Sequence, residues 1–211
     1  KKIISKIKPD VIVVHEGRSA ALMKRAVGKY VPVIDVNHGR GARQSRNMDA
    51  TIVTNSAQLK NTRNILGNQH AVFNLPNSID LSKNTPPEFP KVWHEPPVIG
   101  TIGRLVRDKG LDVFIDALNI LNRRGIKFQA IMAGEGEERA LLERKIFEFR
   151  LGEFVTLPGW ASNPDEFYQA IDIFCFPSRK EEFGLVLLEA WKNGLPAVVS
   201  DADGPADIAT A

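Results

Sequence analysis

Along this 211-residue chain, short β-branched apolar runs alternate with stretches whose apolar residues recur every three or four positions. In the first part, Val11–Val14, Val33–Asp35, Thr51–Thr54 and Ala71–Leu75 read as strands, and Ala20–Val27 and Ala57–Leu66 as helices. In the second, strands are expected at Val98–Ile102, Phe128–Ala133, Phe154–Leu157, Ile171–Phe176 and Ala197–Ser200. Helices are expected at Leu111–Arg124, Glu137–Phe149, Pro164–Ala170 and Gly184–Asn193. The clearest is Leu111–Arg124, where Leu111, Phe114, Ile115, Leu118 and Leu121 fall on one face. Between Asn84 and Pro97 five prolines interrupt the pattern, and proline removes the donors that helices and central strands require, so 84–97 reads as a linker. Near-continuous apolar strands alternating with helices predict an α/β chain of parallel sheets covered on both faces. The division is then 1–83, a partial Rossmann-like unit, and 98–211, a second Rossmann-like unit.

Composition changes this picture mainly by exclusion. A 25% charged, 43% hydrophobic chain is ordinary globular material. Its single cysteine, Cys175, speaks against a disulfide framework or a cysteine zinc site. No apolar run approaches the roughly 18 residues of a membrane span, and the basic start KKIISKIKPD lacks the apolar core of a signal peptide. The location expected is therefore the cytoplasm. The chain does not begin with Met, and both ends are treated as possible cut points. The net charge of +3 conceals an asymmetry: residues 1–80 carry 13 Lys+Arg against 5 Asp+Glu, and the remainder is net acidic. A basic first part suits an anionic surface, such as the inner face of a membrane, or is simply a solvated face. Nucleic acid is disfavoured, because the basic residues are not interleaved with aromatics.

Candidate chemistry sits in loops that follow strands. In GTIGRLVRDKG, residues 100–110, a strand ends at Ile102 and Arg104, Arg107 and Lys109 precede a helix. Ligands of open α/β sheets bind at such carboxyl ends, where helix N–H groups and cations favour a diphosphate. The segment is neither a Walker A loop nor GxGxxG. Gly134 and Gly136 follow the next strand and would let a backbone approach a ligand, or simply turn the chain. In PSRKEEFGLVLLEAWKNGLP, residues 177–196, Glu181 lies in a loop and Glu189 on a helix among Leu187, Leu188, Ala190 and Trp191. A carboxylate can accept from two vicinal sugar hydroxyls. Among those apolar neighbours Glu189 needs a partner, either a ligand hydroxyl or a protein donor. His15 and His38 both follow strands, and Arg40, Arg43 and Arg46 form a basic cluster. No serine elbow or HExxH is present, and His15, His38, His70 and His94 lack metal-ligand spacing.

These segments resemble those of the retaining glycosyltransferases of family 4, which have the GT-B fold. The GRL…KG stretch at Gly103–Gly110 is similar to the family's phosphate-binding segment. Glu181 and Glu189 match its E-x7-E motif, and NGLPAVVSDADGPADI its GLPVV…GGxxE segment. VIDVNHG, ATIVTNSAQLKN and LPNSID resemble its histidine loop, a serine-containing turn and the exit from the first domain. The resemblance implies a hexosyltransferase using a UDP- or GDP-sugar, with no metal or other cofactor, acting on a glycan or lipid-linked acceptor of a surface polysaccharide or lipopolysaccharide. It further implies that Arg104 and Lys109 hold the diphosphate, with Gly134 nearby. Glu189 then holds the ribose and Glu181 the transferred sugar, and His38, across the cleft, aids the transition state. Glu182 stands in place of a usual glycine, and Asp203 and Asp207 in place of Gly and Glu. The family's amino-terminal strands and carboxy-terminal helices are missing, so a non-catalytic nucleotide-sugar-binding fragment is one alternative. A sugar-nucleotide epimerase of the same fold is another.

Overall fold

In a computed structural model, residues 2–15, 17–39, 41–81 and 92–210 are described. The chain divides into two compact units, one ending at Asn77 and the other beginning at Ser78. The first holds α1 (Lys2–Ile7), β1 (Ile12–Val14), α2 (Gly17–Val27), β2 (Val33–Asn37), β3 (Ala50–Val53), α3 (Ser56–Leu66) and β4 (Ala71–Asn74). Its sheet has the order β1-β2-β3-β4 with every pair parallel. Ala20, Val27, Val33 and Met48 form its buried cluster, with Ile4 of α1 packed against them. At the start of α3, Asn55 is extended and its side chain accepts from the Gln58 N–H at 2.7 Å, which satisfies one of the helix's orphan donors.

The second unit contains β5 (Val98–Ile102), α4 (Leu111–Arg123), β6 (Gln129–Ala133), α5 (Arg139–Glu148) and β7 (Val155–Gly159). It continues with α6 (Pro164–Gln169), β8 (Ile173–Phe176), α7 (Leu185–Lys192), β9 (Ala197–Val199) and α8 (Asp203–Ala209). The sheet order is β7-β6-β5-β8-β9, again all parallel. The chain thus winds outward from β5 in one direction and then, from β8, in the other. One buried cluster gathers Leu111, Phe114, Ile115 and Leu118 of α4 with Met132 and Leu142. The other gathers Phe167, Tyr168, Phe174, Phe176, Leu187 and Ala190. The apolar face read from the sequence of α4 is the face that is buried.

Among the described residues four elements escape the periodicity: α1, α8, and short 3-10 helices at Ala42–Ser45 and Arg107–Lys109. In α8 the sequence Gly204-Pro205 looks like a turn, yet proline is tolerated in the first turn of a helix, where its missing N–H has no partner to lose. The expected linker lies outside the described residues over 84–91, as does Arg40. The strand expected from Ile171 begins at Ile173, because Asp172 does something else.

The Asp172 carboxylate is buried and receives the Val98 N–H at 2.8 Å and the His94 N–H at 3.2 Å, with the His94 Nδ1 at 3.0 Å. It pins the entry to β5. Burial alone would raise the Asp172 carboxyl, but the Val98 N–H, the His94 ring and the His94 N–H outweigh it and hold it below the ordinary carboxylate value. A depressed carboxyl stabilises the fold above its unfolded pKa, and that contribution is lost as pH falls through the folded one. Asp172→Asn is therefore expected to lower stability by roughly 1.5–3 kcal/mol at pH 7. The gap to the wild type should narrow below about pH 4 in urea titrations across pH.

Candidate nucleotide-sugar site

The second unit reverses its winding between β5 and β8, and in open α/β sheets that is where ligands bind. Two loops rise there: 103–110 after β5, which includes a 3-10 turn at Arg107–Lys109, and 177–184 after β8. They are laced together. The Arg179 and Lys180 N–H groups donate to the Asp108 carbonyl at 2.8 and 3.1 Å. Gly110, at φ +63, lies so close to the Pro177 carbonyl that a Cβ would sit 2.1 Å from its oxygen. The Arg179 guanidinium grips Asp112, in the first turn of α4, through both carboxylate oxygens at 2.5 and 2.6 Å. That bond holds the Asp112 carboxyl below the ordinary range, against the opposing effect of burial.

Lys109 Nζ is bonded to Glu181 Oε2, with 22% and 16% of the two side chains exposed, and the ammonium lies 5.8 Å from the centre of the Phe176 ring. The two residues therefore share one polar centre at the switch point. Arg104 is exposed at the head of the same loop, with no ion pair among the described residues. Gly184, at φ +96, starts α7 where a Cβ would strike the Phe176 ring at 2.6 Å. Gly204, at the start of α8, likewise makes room for the backbone of Glu182 and Phe183.

Glu189, on α7, has its partner within the protein: Oε2 accepts from the Tyr168 hydroxyl at 2.8 Å. Gly134, at φ +140, is required by a backbone crossing, since a Cβ there would sit 1.8 Å from the Gly103 oxygen. Its N–H donates to the Gly159 carbonyl at 2.7 Å, and the Leu105 N–H reaches back to the Glu135 carbonyl at 2.8 Å. Gly134 thus seats the 103–105 segment against the loop after β6, and its own N–H is committed within the protein.

In the first unit His38 follows β2 and His15 follows β1. Their rings are nearly parallel, 13° apart, with His15 Nδ1 2.9 Å from His38 Nε2. One nitrogen donates and the other accepts, so the bond carries a single proton. Asp35 Oδ1 and Asn37 Oδ1, on the same face of β2, are buried with no hydrogen-bond partner among the described residues, while Asp35 Oδ2 accepts from Ser45. Arg43 and Arg46 are exposed. Among the described residues no cluster of three or more His, Cys, Asp or Glu side chains gathers, and no helix is long and apolar enough to cross a membrane.

Arg179, Asp112 and Tyr168 were not singled out by the sequence. The only signal was a basic residue just after a strand and an acidic one in a first helical turn; Tyr168 offered none.

The lipopolysaccharide core biosynthesis glycosyltransferase LpsE of Rhizobium meliloti is 27% identical to this chain over 213 residues, covering 97% of the chain and 59% of LpsE. The chain thus spans less than two thirds of that relative. Among solved structures, TarM superposes with a TM-score of 0.84 at 19% identity, over 98% of this chain and 45% of TarM. HepE of Anabaena, in complex with UDP and glucose, gives a TM-score of 0.76 at 20% identity, over 96% of this chain and 62% of HepE. At such identities the likeness shows the fold, the GT-B fold that the motifs implied. The family described as "Glycosyl transferases group 1" matches residues 85–211, more than half of the sequence and all of the switch-point loops of the second unit, and the chain belongs to that family.

Proposed function

We propose that this chain carries the donor-binding part of a glycosyltransferase that moves a hexose from a nucleotide-diphospho sugar to a glycan or lipid-linked acceptor, with retention of configuration. The observation that carries the reading is the polar centre at the β5/β8 switch point: Arg104, Lys109 and Glu181 on two loops tied together by Arg179. Names among its relatives point to lipopolysaccharide and capsular polysaccharide synthesis, and HepE was solved with UDP and glucose.

In this reading Arg104 and Lys109 bind the diphosphate. As the bond from the anomeric carbon to the β-phosphate oxygen breaks, negative charge grows on that oxygen, and the two cations neutralise it in place of a metal. The acceptor hydroxyl attacks from the face of the departing phosphate, bonds to the anomeric carbon and passes its proton to the leaving oxygen. Glu181 orients hydroxyls of the sugar and Glu189 those of the ribose. Gly134 acts by seating the arginine loop. In this reading the work is done in the cytoplasm, and the basic residues 1–80 suit an anionic membrane face.

The test is product analysis with the full-length protein, UDP- and GDP-hexoses and a glycan acceptor, with a chelator present. Transfer that keeps the donor's anomeric configuration supports the reading. An inverted product, interconversion of the sugar nucleotide without acceptor, or binding without transfer contradicts it.

A further inference from the structure

The cluster beneath α7 is built from Phe167, Phe174 and Phe176, with one phenol among them, Tyr168. Tyr168 is 1% exposed and held edge-on by Phe167 and Phe174, with ring centres 5.3 and 5.9 Å away. Its ring could pack as a phenylalanine, but its hydroxyl reaches out of the apolar layer to Glu189 Oε2 at 2.8 Å, with the Val186 carbonyl oxygen at 3.2 Å. A hydroxyl has one hydrogen, and the closer and charged acceptor takes it. Burial first, and then the Glu189 charge, push the hydroxyl above its ordinary range, so it remains a donor at any working pH. No hydrogen bond to the other carboxylate oxygen, Oε1, is found among the described residues.

We infer that Tyr168 is the positioning residue for Glu189: its hydroxyl fixes one carboxylate oxygen in an aromatic socket, so that the other is presented to the ribose hydroxyls of the bound nucleoside diphosphate. The inference rests on the donor-site reading above. A glutamate on a helix surface has three rotatable side-chain bonds, and fixing them before binding removes an ordering cost that the ligand would otherwise bear. The socket is rigid because Phe167 and Phe174 leave the Tyr168 ring no other place to lie.

The test is calorimetric titration of the full chain with UDP and GDP, and with the 2′,3′-dideoxy analogue of whichever binds. Tyr168→Phe keeps the ring and removes only the hydroxyl. It is expected to weaken nucleoside diphosphate binding about tenfold, the scale of one hydrogen bond to a charged group. The same variant should leave binding of the dideoxy analogue unchanged, and should add no further loss in a Glu189→Ala background. Unchanged binding by Tyr168→Phe overturns the inference and leaves the donor site standing. Equal weakening of both ligands makes the tyrosine merely structural and also overturns it. Wild-type chain that binds neither UDP nor GDP overturns the donor-site reading itself. Should Tyr168→Phe lower the melting temperature sharply, the two ligands are compared on that variant at a temperature where it remains folded: a loss confined to the ligand with ribose hydroxyls supports the inference, and an equal loss on both overturns it.

Discussion

Replacing Lys109 by alanine is expected to cut transfer by about 10²–10³-fold, the cost of removing one preorganised group that meets charge developing in a transition state. Lys109 meets Glu181 at the switch point, so the substitution acts twice. In the proposed reading it removes a cation from the leaving diphosphate, and it leaves a mostly buried carboxylate without its counter-charge. Stability should fall by about 1–3 kcal/mol, between the cost of breaking a surface pair and that of breaking a buried one. A kcat that falls a hundredfold or more in protein still folded at the assay temperature identifies a role in the reaction. A rate within a few-fold of wild type would show that Lys109 serves only to hold the loop.

Gly134→Ala is expected to be the most destabilising single change in the second unit, costing about 4 kcal/mol or more in urea unfolding. Two effects add. At φ +140 the backbone lies where side chains are rarely tolerated, and the new methyl would lie 1.8 Å from the Gly103 oxygen, a backbone atom that cannot swing aside. The loop that carries Arg104 must move to relieve the clash, so nucleotide binding should fall with stability. Gly152→Ala is the control: no atom lies within 4 Å of its added Cβ and its φ is unremarkable, so its stability should change by under about 0.5 kcal/mol.

The elements most legible in the sequence were those whose period is set by burial. The face of α4 and the strands β5 and β6 could be placed because a parallel strand buried on both sides reads as an apolar run, and a helix against it as a 3.6-residue stripe. The loops carrying Arg104, Lys109 and Glu181 were visible as interruptions at strand ends, and Glu189 on α7 through its motif spacing. Pairings were not visible. Lys109 meets Glu181 across 72 residues, Arg179 meets Asp112 across 67, and Tyr168 meets Glu189 across 21. The first two depend on β8 returning beside β5, and the third on α6 and α7 packing together across β8; no local pattern encodes either. Gly134 shows the same limit. Its glycine was read as room for a ligand or as a simple turn, and neither reading foresaw the Gly103 backbone that lies against it. The histidines were each visible at a strand end, but their stacking follows from β1 and β2 being neighbours in the sheet.

The most direct measurement of the donor-site claim is calorimetric binding of UDP and GDP to the wild-type chain beside Arg104→Ala. Arg104 is exposed and lacks an ion pair among the described residues, so its removal leaves the fold unchanged while taking away a cation intended for the diphosphate. The account predicts saturable binding of one nucleotide, weakened about ten- to a hundredfold by the substitution. Equal binding by the two proteins, or none by either in a folded sample, would contradict it.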